Sequence, residues 1–168
     1  MSPGGLRRSR TPASLDLTDR RIVERLQADG RVSFAAVAQE LGLGEPEVEQ
    51  RAERLREAGV IDVVAVTDPL QLGYPRQAML GVVVDGPSEP VGDLLAAIDE
   101  VIYLASTTGG FDLFAEVVGT SDVHLLELVT RIRRLPGVTR IHTFLYQELV
   151  KETYTYGTGW GPADPDEP

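Results

Sequence analysis

Residues 31–61 constrain the fold of this 168-residue chain most, because two short helical patterns meet there around a pair of glycines. Residues 34–41 carry apolar side chains at i, i+3, i+4 and i+7, and Ser33 can cap the free amides of such a helix. Gly42 follows directly and suits the left-handed conformation in which helices end. A second helix is therefore predicted to begin at Glu45, after a short turn.

The second helix has its own apolar stripe and a defined end. Pro46 is tolerated in its first turn, where a missing N–H costs nothing. The stripe consists of Val48, Ala52 and Leu55, and Gly59 follows it. Spacing alone leaves two interpretations equally open: a DNA-binding helix-turn-helix, or an ordinary αα-hairpin of a helical bundle.

A third helix is predicted before this pair, and it favours the first interpretation. Asp16 can cap a helix over residues 17–28, and Ile22, Val23 and Leu26 recur on one face of it. Three short helices in this order form a minimal DNA-binding unit.

Two segments are predicted to connect this unit to the rest of the chain. The β-branched run Val60–Val66 predicts a strand that leads out of the helices. Prolines and glycines then mark residues 67–76 as a short ordered linker, in which Leu70 and Leu72 are expected to be buried.

The remaining chain predicts the element order βαββαβ. Strands are predicted over 78–84, 101–107, 111–118 and 138–150, with helices over 90–98 and from Ser121 to Pro136. This order predicts an antiparallel four-stranded sheet with both helices on one face, the ferredoxin-like arrangement. Because residues on both sides of the sheet are apolar, its other face is expected to be covered by a second subunit.

The net charge of −10 is unevenly distributed along the chain. Residues 1–66 sum to −1 and residues 67–168 sum to −9, so the acidic excess lies outside the helical unit. A nearly neutral helical unit lacks the basic surface of a strong phosphate binder. The distribution therefore argues against tight non-specific DNA affinity.

Both ends of the chain are expected to be disordered. The arm 1–14 contains Arg7, Arg8 and Arg10 among small and polar residues. It is either a solvated tail or a flexible contact to phosphates or the minor groove, and both interpretations stay open. The acidic segment 153–168 is interpreted as a tail.

The sequence contains no motif of an enzyme, a metal site or a membrane span. No apolar run approaches the length of a transmembrane helix, and the arginines of the arm precede no secretory signal. The absence of cysteine excludes disulfides and thiolate metal sites. His124 and His142 lie on different predicted elements and are interpreted as surface residues. No catalytic residue, metal or cofactor is therefore predicted, and a cytoplasmic location is expected.

The run LDLTDRRIVERLQADGR, followed by the helix pair and RLREAGVI, resembles the Lrp/AsnC feast/famine transcription regulators over about residues 15 to 152. The resemblance implies an α+β chain with a helix-turn-helix domain of the winged type (15–66), the linker 67–76, and a ferredoxin-like oligomerisation and effector domain (77–152). It further implies a homodimer or higher even oligomer that binds double-stranded DNA and responds to an amino acid or a related metabolite.

Two alternatives to this function stay open. One is an Lrp-like ligand-binding or assembly module that does not bind DNA. The other is an Lrp-like enzyme such as a siroheme decarboxylase subunit. A tetrapyrrole site needs basic groups for its carboxylates, and the acidic half 67–168 supplies few of them.

The DNA-contacting residues follow from the position of the second helix of the motif. The residues expected to face bases are Gly44, Glu45, Glu49, Gln50 and Glu53, with Arg51 and Arg54 in phosphate or structural roles and Ser33 at the start of the preceding helix. Glutamates accept a hydrogen bond from cytosine and glutamine pairs with adenine, but carboxylates repel phosphates. We therefore expect a shallow salt dependence and few base contacts.

A glycine-rich junction between the second and third strands is the predicted effector site. It comprises Thr107, Thr108, Gly109, Gly110, Phe111 and Asp112. Spacing alone favours a plain hairpin loop. The resemblance implies effector binding, because the family has a Gly-x-aromatic-Asp signature here, although an acid is often found where this chain has Gly110. Asp112 would bind the ammonium of an amino acid, while loop amides and the two threonine hydroxyls would bind its carboxylate.

Overall fold

A computed structural model of the protein describes residues 13–152, so residues 1–12 of the predicted arm 1–14 and the whole predicted tail 153–168 lie outside the described residues. The elements are α1 (Leu17–Ala28), α2 (Phe34–Leu41), α3 (Glu45–Glu57), β1 (Arg76–Val84), α4 (Glu89–Ala96), β2 (Val101–Ser106), β3 (Leu113–Gly119), α5 (Asp122–Arg133) and β4 (Val138–Leu145). The chain divides into two compact units between Ala65 and Val66. The α+β class is confirmed.

The helical unit begins and ends its helices where local signals predicted. The Asp16 carboxylate accepts from the Asp19 amide at 2.7 Å at the start of α1, and the Ser33 hydroxyl accepts from the Ala36 amide at 3.2 Å at the start of α2. Gly42 ends α2 with a φ of 69°, a left-handed conformation that costs glycine little. The apolar faces of the three helices meet in one core around Ile22, Val37, Val48 and Leu55.

The strand predicted over Val60–Val66 is not formed. No backbone hydrogen bond joins residues 61–67 to another part of the described chain, and a strand requires such a ladder. The side chains of Val63, Val64 and Val66 are exposed. The three helices therefore have no β-wing within residues 13–75. The expected burial of Leu70 and Leu72 is also wrong, because the turn over 68–74 leaves both side chains exposed.

The second unit is an antiparallel sheet of order β2-β3-β1-β4, as the βαββαβ pattern predicted. Leu80 and Val82 point from one face of β1 into a core that Leu95 of α4 and Ile132 of α5 complete. Both helices therefore cover the same face of the sheet. Within residues 13–152, no helix is long and apolar enough to cross a membrane.

Two strands are shorter than predicted, although β1 extends two residues past the last paired residue of each. β4 was expected to reach residue 150 but ends at Leu145, which pairs with Ala78 near the start of β1. β3 was expected to start at Phe111 but begins at Leu113, opposite Val82. One more backbone hydrogen bond to β1 follows at each end, from the Tyr146 amide to the Gln77 carbonyl and from the Asp112 amide to the Val82 carbonyl, and the regular ladder then stops.

Candidate DNA interface and effector loop

The outer face of α3 carries the predicted base-facing residues. All five of them are exposed: Gly44, Glu45, Glu49, Gln50 and Glu53. Val48, Ala52 and Leu55 face the core on the other side of the same helix. Gly44 occupies the N-cap position of α3 and makes no side-chain hydrogen bond there, because glycine has no side-chain oxygen. The helix therefore presents a polar, mostly acidic surface to solvent.

One of these acidic side chains is already paired. Arg56 donates from Nε and Nη2 to the two carboxylate oxygens of Glu53 at 2.8 and 2.6 Å. These hydrogen bonds lower the pKa of Glu53. The bidentate pair offsets one negative charge on the face and leaves the carboxylates of Glu45 and Glu49 as its main repulsive groups.

Arg51 and Arg54 bind carboxylates at the start of α1. Arg51 donates from Nη1 to Asp16 at 2.7 Å and to Asp19 at 3.0 Å, and from Nε to Glu47 at 3.1 Å. Arg54 donates from Nη2 to the same Asp19 oxygen at 2.6 Å. Of the two roles that the sequence left open for these arginines, this geometry supports the structural one.

Asp19 is the buried centre of this network, and its side chain is 2% exposed. Burial opposes its ionisation, but hydrogen bonds from Arg54 and Arg51 outweigh burial and hold the pKa of Asp19 below its usual value. The hydrogen bond from Arg51 likewise lowers the pKa of Asp16. Sequence reasoning missed Asp19, although its position three residues after the cap Asp16 is the signal of a capping box.

The effector loop is fastened by its own polar groups. The Thr107 hydroxyl donates to the Phe111 carbonyl at 2.7 Å, so its proton is used inside the loop. The Asp112 carboxylate accepts through Oδ2 from the Val84 amide at 2.9 Å, next to an irregularity in the pairing of β1 and β4. Thr108, Gly109 and Gly110 remain exposed at the tip. Of the predicted ligand groups, these three are exposed, and the second oxygen of the half-buried Asp112 accepts no hydrogen bond from the described residues.

Phe111 lies on the face of the sheet that no helix covers. Its ring sits against Gly81, where an added Cβ would be 2.7 Å from the ring. The ring also makes edge contacts with Phe114, His142 and Phe144, at centroid distances of 5.3, 5.2 and 6.2 Å. Sequence reasoning missed this cluster, although the alternation of His142 and Phe144 along β4 places both on one face.

Family profiles match both units. One described as the AsnC-type helix-turn-helix domain matches residues 15–56, and one described as the Lrp/AsnC ligand binding domain matches residues 77–156. The HTH-type transcriptional regulator FL11 of Pyrococcus abyssi is 32% identical to this chain over 142 residues, which are 83% of this chain and 94% of that protein. The regulatory protein AsnC of Escherichia coli strain K12 is 27% identical over 135 residues, or 78% and 89%.

Solved structures agree with these matches. The leucine response regulatory protein LrpA of Mycobacterium tuberculosis superposes with a TM-score of 0.76 and 29% identity, covering 82% of this chain and 96% of that one. The names of these relatives are those of transcription regulators and not of enzymes. The family resemblance inferred from the sequence is confirmed. The chain therefore belongs to the Lrp/AsnC family of DNA-binding transcription regulators, whose second domain binds small-molecule ligands.

Proposed function

We propose that this regulator reads a specific duplex with the outer face of α3, acts as an even-numbered homo-oligomer, and binds an amino acid at the loop 107–112. The observation that carries the proposal is the exposed polar face of α3, which the helical core holds outwards. A shift of its own upstream DNA in an electrophoretic assay tests the proposal directly. No shift would favour the alternative of an assembly module without DNA affinity.

Gln50 is proposed as the main base contact. It is the uncharged hydrogen-bonding side chain among the exposed residues of this face, and glutamine can pair with adenine through two hydrogen bonds. We expect Gln50→Ala to cost about 1–3 kcal/mol of discrimination at one base pair, measured by shift assays on single-base variants of the site. Gln71→Ala, the same change in the linker, is the control. Unchanged affinity and preference in Gln50→Ala would refute this docking.

The helix-free face of the sheet is proposed to bind the same face of a second copy. Its exposed side chains include Phe144, which is 48% exposed beside Phe111. Burial of such apolar surface is the common driving force of homodimers. We expect Phe144→Glu to lower the mass that light scattering reports, to one half for a dimer, because a carboxylate would be buried at the interface. Leu126→Glu, an equally polar change on the outside of α5, should retain the oligomer.

A monomeric wild type at micromolar concentration would remove the basis for this assembly. A two-fold protein reads a two-fold site, so DNA half-sites are expected about one helical turn, or a multiple of it, apart.

An amino acid is proposed to bind at the tip of the loop 107–112. The exposed amides of Gly109 and Gly110 would bind its carboxylate, and the second oxygen of Asp112 would bind its ammonium. Binding that involves two subunits couples the ligand to assembly, with typical coupling free energies of about 1–3 kcal/mol. The name of the relative LrpA, a leucine response regulatory protein, supports this ligand class.

Asp112→Asn is the appropriate variant for this site. The amide oxygen can still accept from the Val84 amide, so the loop is retained, whereas Asp112→Ala would leave that amide without an acceptor. Calorimetry with each of the twenty amino acids should give heat with the wild type and with Asp85→Asn, a nearby exposed control, but not with Asp112→Asn. Equal heat from all three proteins, or none from any, would refute the site.

A further inference from the structure

Ion pairs distinguish Arg51 and Arg54 from Arg31 within the helical unit. Arg51 and Arg54 are held by carboxylates, and the cluster that they form with Asp16, Asp19 and Glu47 has three acids against two bases. Arg31 is exposed and makes no ion pair with another residue in the described range 13–152. A phosphate therefore meets a net charge of −1 at the cluster and a positive charge at Arg31.

We propose that Asp19 is a positioning residue for DNA reading: it clamps α3 onto α1 through Arg51 and Arg54, and these two arginines make no phosphate contact. The proposal rests on the proposed docking of α3, and it assigns the two arginines to holding that helix in place.

The hydrogen bonds of Asp19 with Arg51 and Arg54 fix the rotation of α3 about its own axis. Arg51 and Arg54 lie about one helical turn apart and both donate to Oδ1 of Asp19, at 3.0 and 2.6 Å. Rotation of α3 in either direction would lengthen one of these hydrogen bonds. Gln50 precedes Arg51 in the chain, so the same rotation would carry Gln50 away from its base. The apolar stripe of α3 is less directional, because packed hydrophobic side chains tolerate rearrangement.

The acceptor itself is held in place from the other side. Asp19 Oδ2 accepts from the Asp16 amide at 3.2 Å, and the Asp16 carboxylate accepts from the Asp19 amide. The carboxylate of Asp19 is therefore held on the first turn of α1 by contacts that involve neither arginine. Arg51 is held most completely, since it binds three carboxylates and its side chain is only 25% exposed.

Salt dependence separates positioning from phosphate binding. Each lost phosphate contact reduces the slope of log affinity against log salt by about 0.9, whereas a misplaced helix leaves the phosphate contacts and the slope unchanged. A misplaced helix weakens binding to the specific site more than binding to random DNA. The experiment therefore compares the wild type with Arg54→Gln and Asp19→Ala, on its own upstream duplex and on random duplex, over a range of salt concentrations. Arg31→Gln, which removes one positive charge from an arginine without an ion pair among the described residues, is the control for the loss of charge in Arg54→Gln.

We expect Arg54→Gln and Asp19→Ala, which removes the shared acceptor, to keep the wild-type salt slope and the affinity for random duplex. The ratio of specific to random affinity should fall about tenfold or more, the size of one lost base contact. The inference would be overturned if Arg54→Gln reduced the salt slope by about 0.9. Equal losses of affinity for the specific and the random duplex would overturn it as well. A wild type that shifts neither duplex would instead refute the proposed DNA reading itself.

A third variant covers the case in which the single substitutions do not fold. Asp19 is the buried member of this cluster, and replacing buried ion-paired groups by apolar side chains of similar size is often neutral for stability. Asp19→Leu combined with Arg51→Met and Arg54→Leu should therefore fold, and its affinity for random duplex and its salt slope should equal those of the wild type. A slope reduced by about 0.9 for each arginine removed would assign both of them to phosphates.

Discussion

Replacement of Ile22 by alanine is expected to unfold the helical unit and abolish DNA binding, while the sheet unit stays folded. Ile22 is fully buried at the centre of the three-helix core, and such a truncation costs about 2–5 kcal/mol. A core of fewer than about 70 residues rarely supplies more than about 3–5 kcal/mol of stability. The loss therefore approaches the whole stability of residues 13–65.

The core of the sheet contains no residue of this unit, so its own melting transition should persist. Circular dichroism against temperature, with the shift assay on the same samples, would measure both effects. Leu17→Ala removes a similar side chain from the same helix at a position that is 65% exposed, and it should behave like the wild type. An Ile22→Ala protein that melts and binds DNA like Leu17→Ala would contradict the assigned core.

Asp19→Ala is expected to destabilise the helical unit by about 2 kcal/mol at neutral pH. The substitution removes the shared acceptor of Arg51 and Arg54 and the partner of the Asp16 amide. Removing one partner of a fully buried ion pair costs about 3–5 kcal/mol, and the cost is lower here because both arginines reach solvent. Urea denaturation at pH 7, with Asp29→Ala as an exposed control in α1's flanking turn, would measure the difference.

The difference in stability between the wild type and Asp19→Ala should decrease at acidic pH. The pKa of Asp19 is lowered in the folded protein, so its stabilising contribution is present above its unfolded value of about 4 and is lost as pH falls through the folded pKa. Wild type and Asp19→Ala should therefore converge in stability below about pH 4. The carboxylates with lowered pKa values outside this cluster, such as Glu100 and Asp122, are present in both proteins and cancel in the comparison. A gap that is constant from pH 7 to pH 3 would contradict the role of the ionised carboxylate.

The elements that depend on near neighbours in the chain could be predicted from the sequence. The bounds of α1 follow from the capping side chain of Asp16, three residues before Asp19, and from the apolar period of the helix. Gly42 ends α2 without help from distant residues. The start of α5 was predicted for the same reason, since the Ser121 hydroxyl caps it by accepting from the His124 amide, three residues on. The order βαββαβ similarly limited the sheet to a few topologies, one of which is observed.

The candidate site could be predicted only where its residues are close in sequence. The loop 107–112 was identified, but the use of an Asp112 oxygen by Val84 was not, because these residues are 28 positions apart. The contact of Phe111 with Gly81 depends on the register of β1 against β3, which no local pattern specifies.

The sequence by itself determined the helices, their caps, the class of fold and the family, because these depend on interactions within a few residues or on the pattern of the whole chain. Only the tertiary structure decided which distant groups meet. It brought Asp19 to Arg51 and Arg54, 32 and 35 residues away, and so indicated a structural role for arginines that composition could equally assign to phosphates. It also left Val60–Val66 without a ladder, because a strand forms only where another segment offers hydrogen-bonding partners.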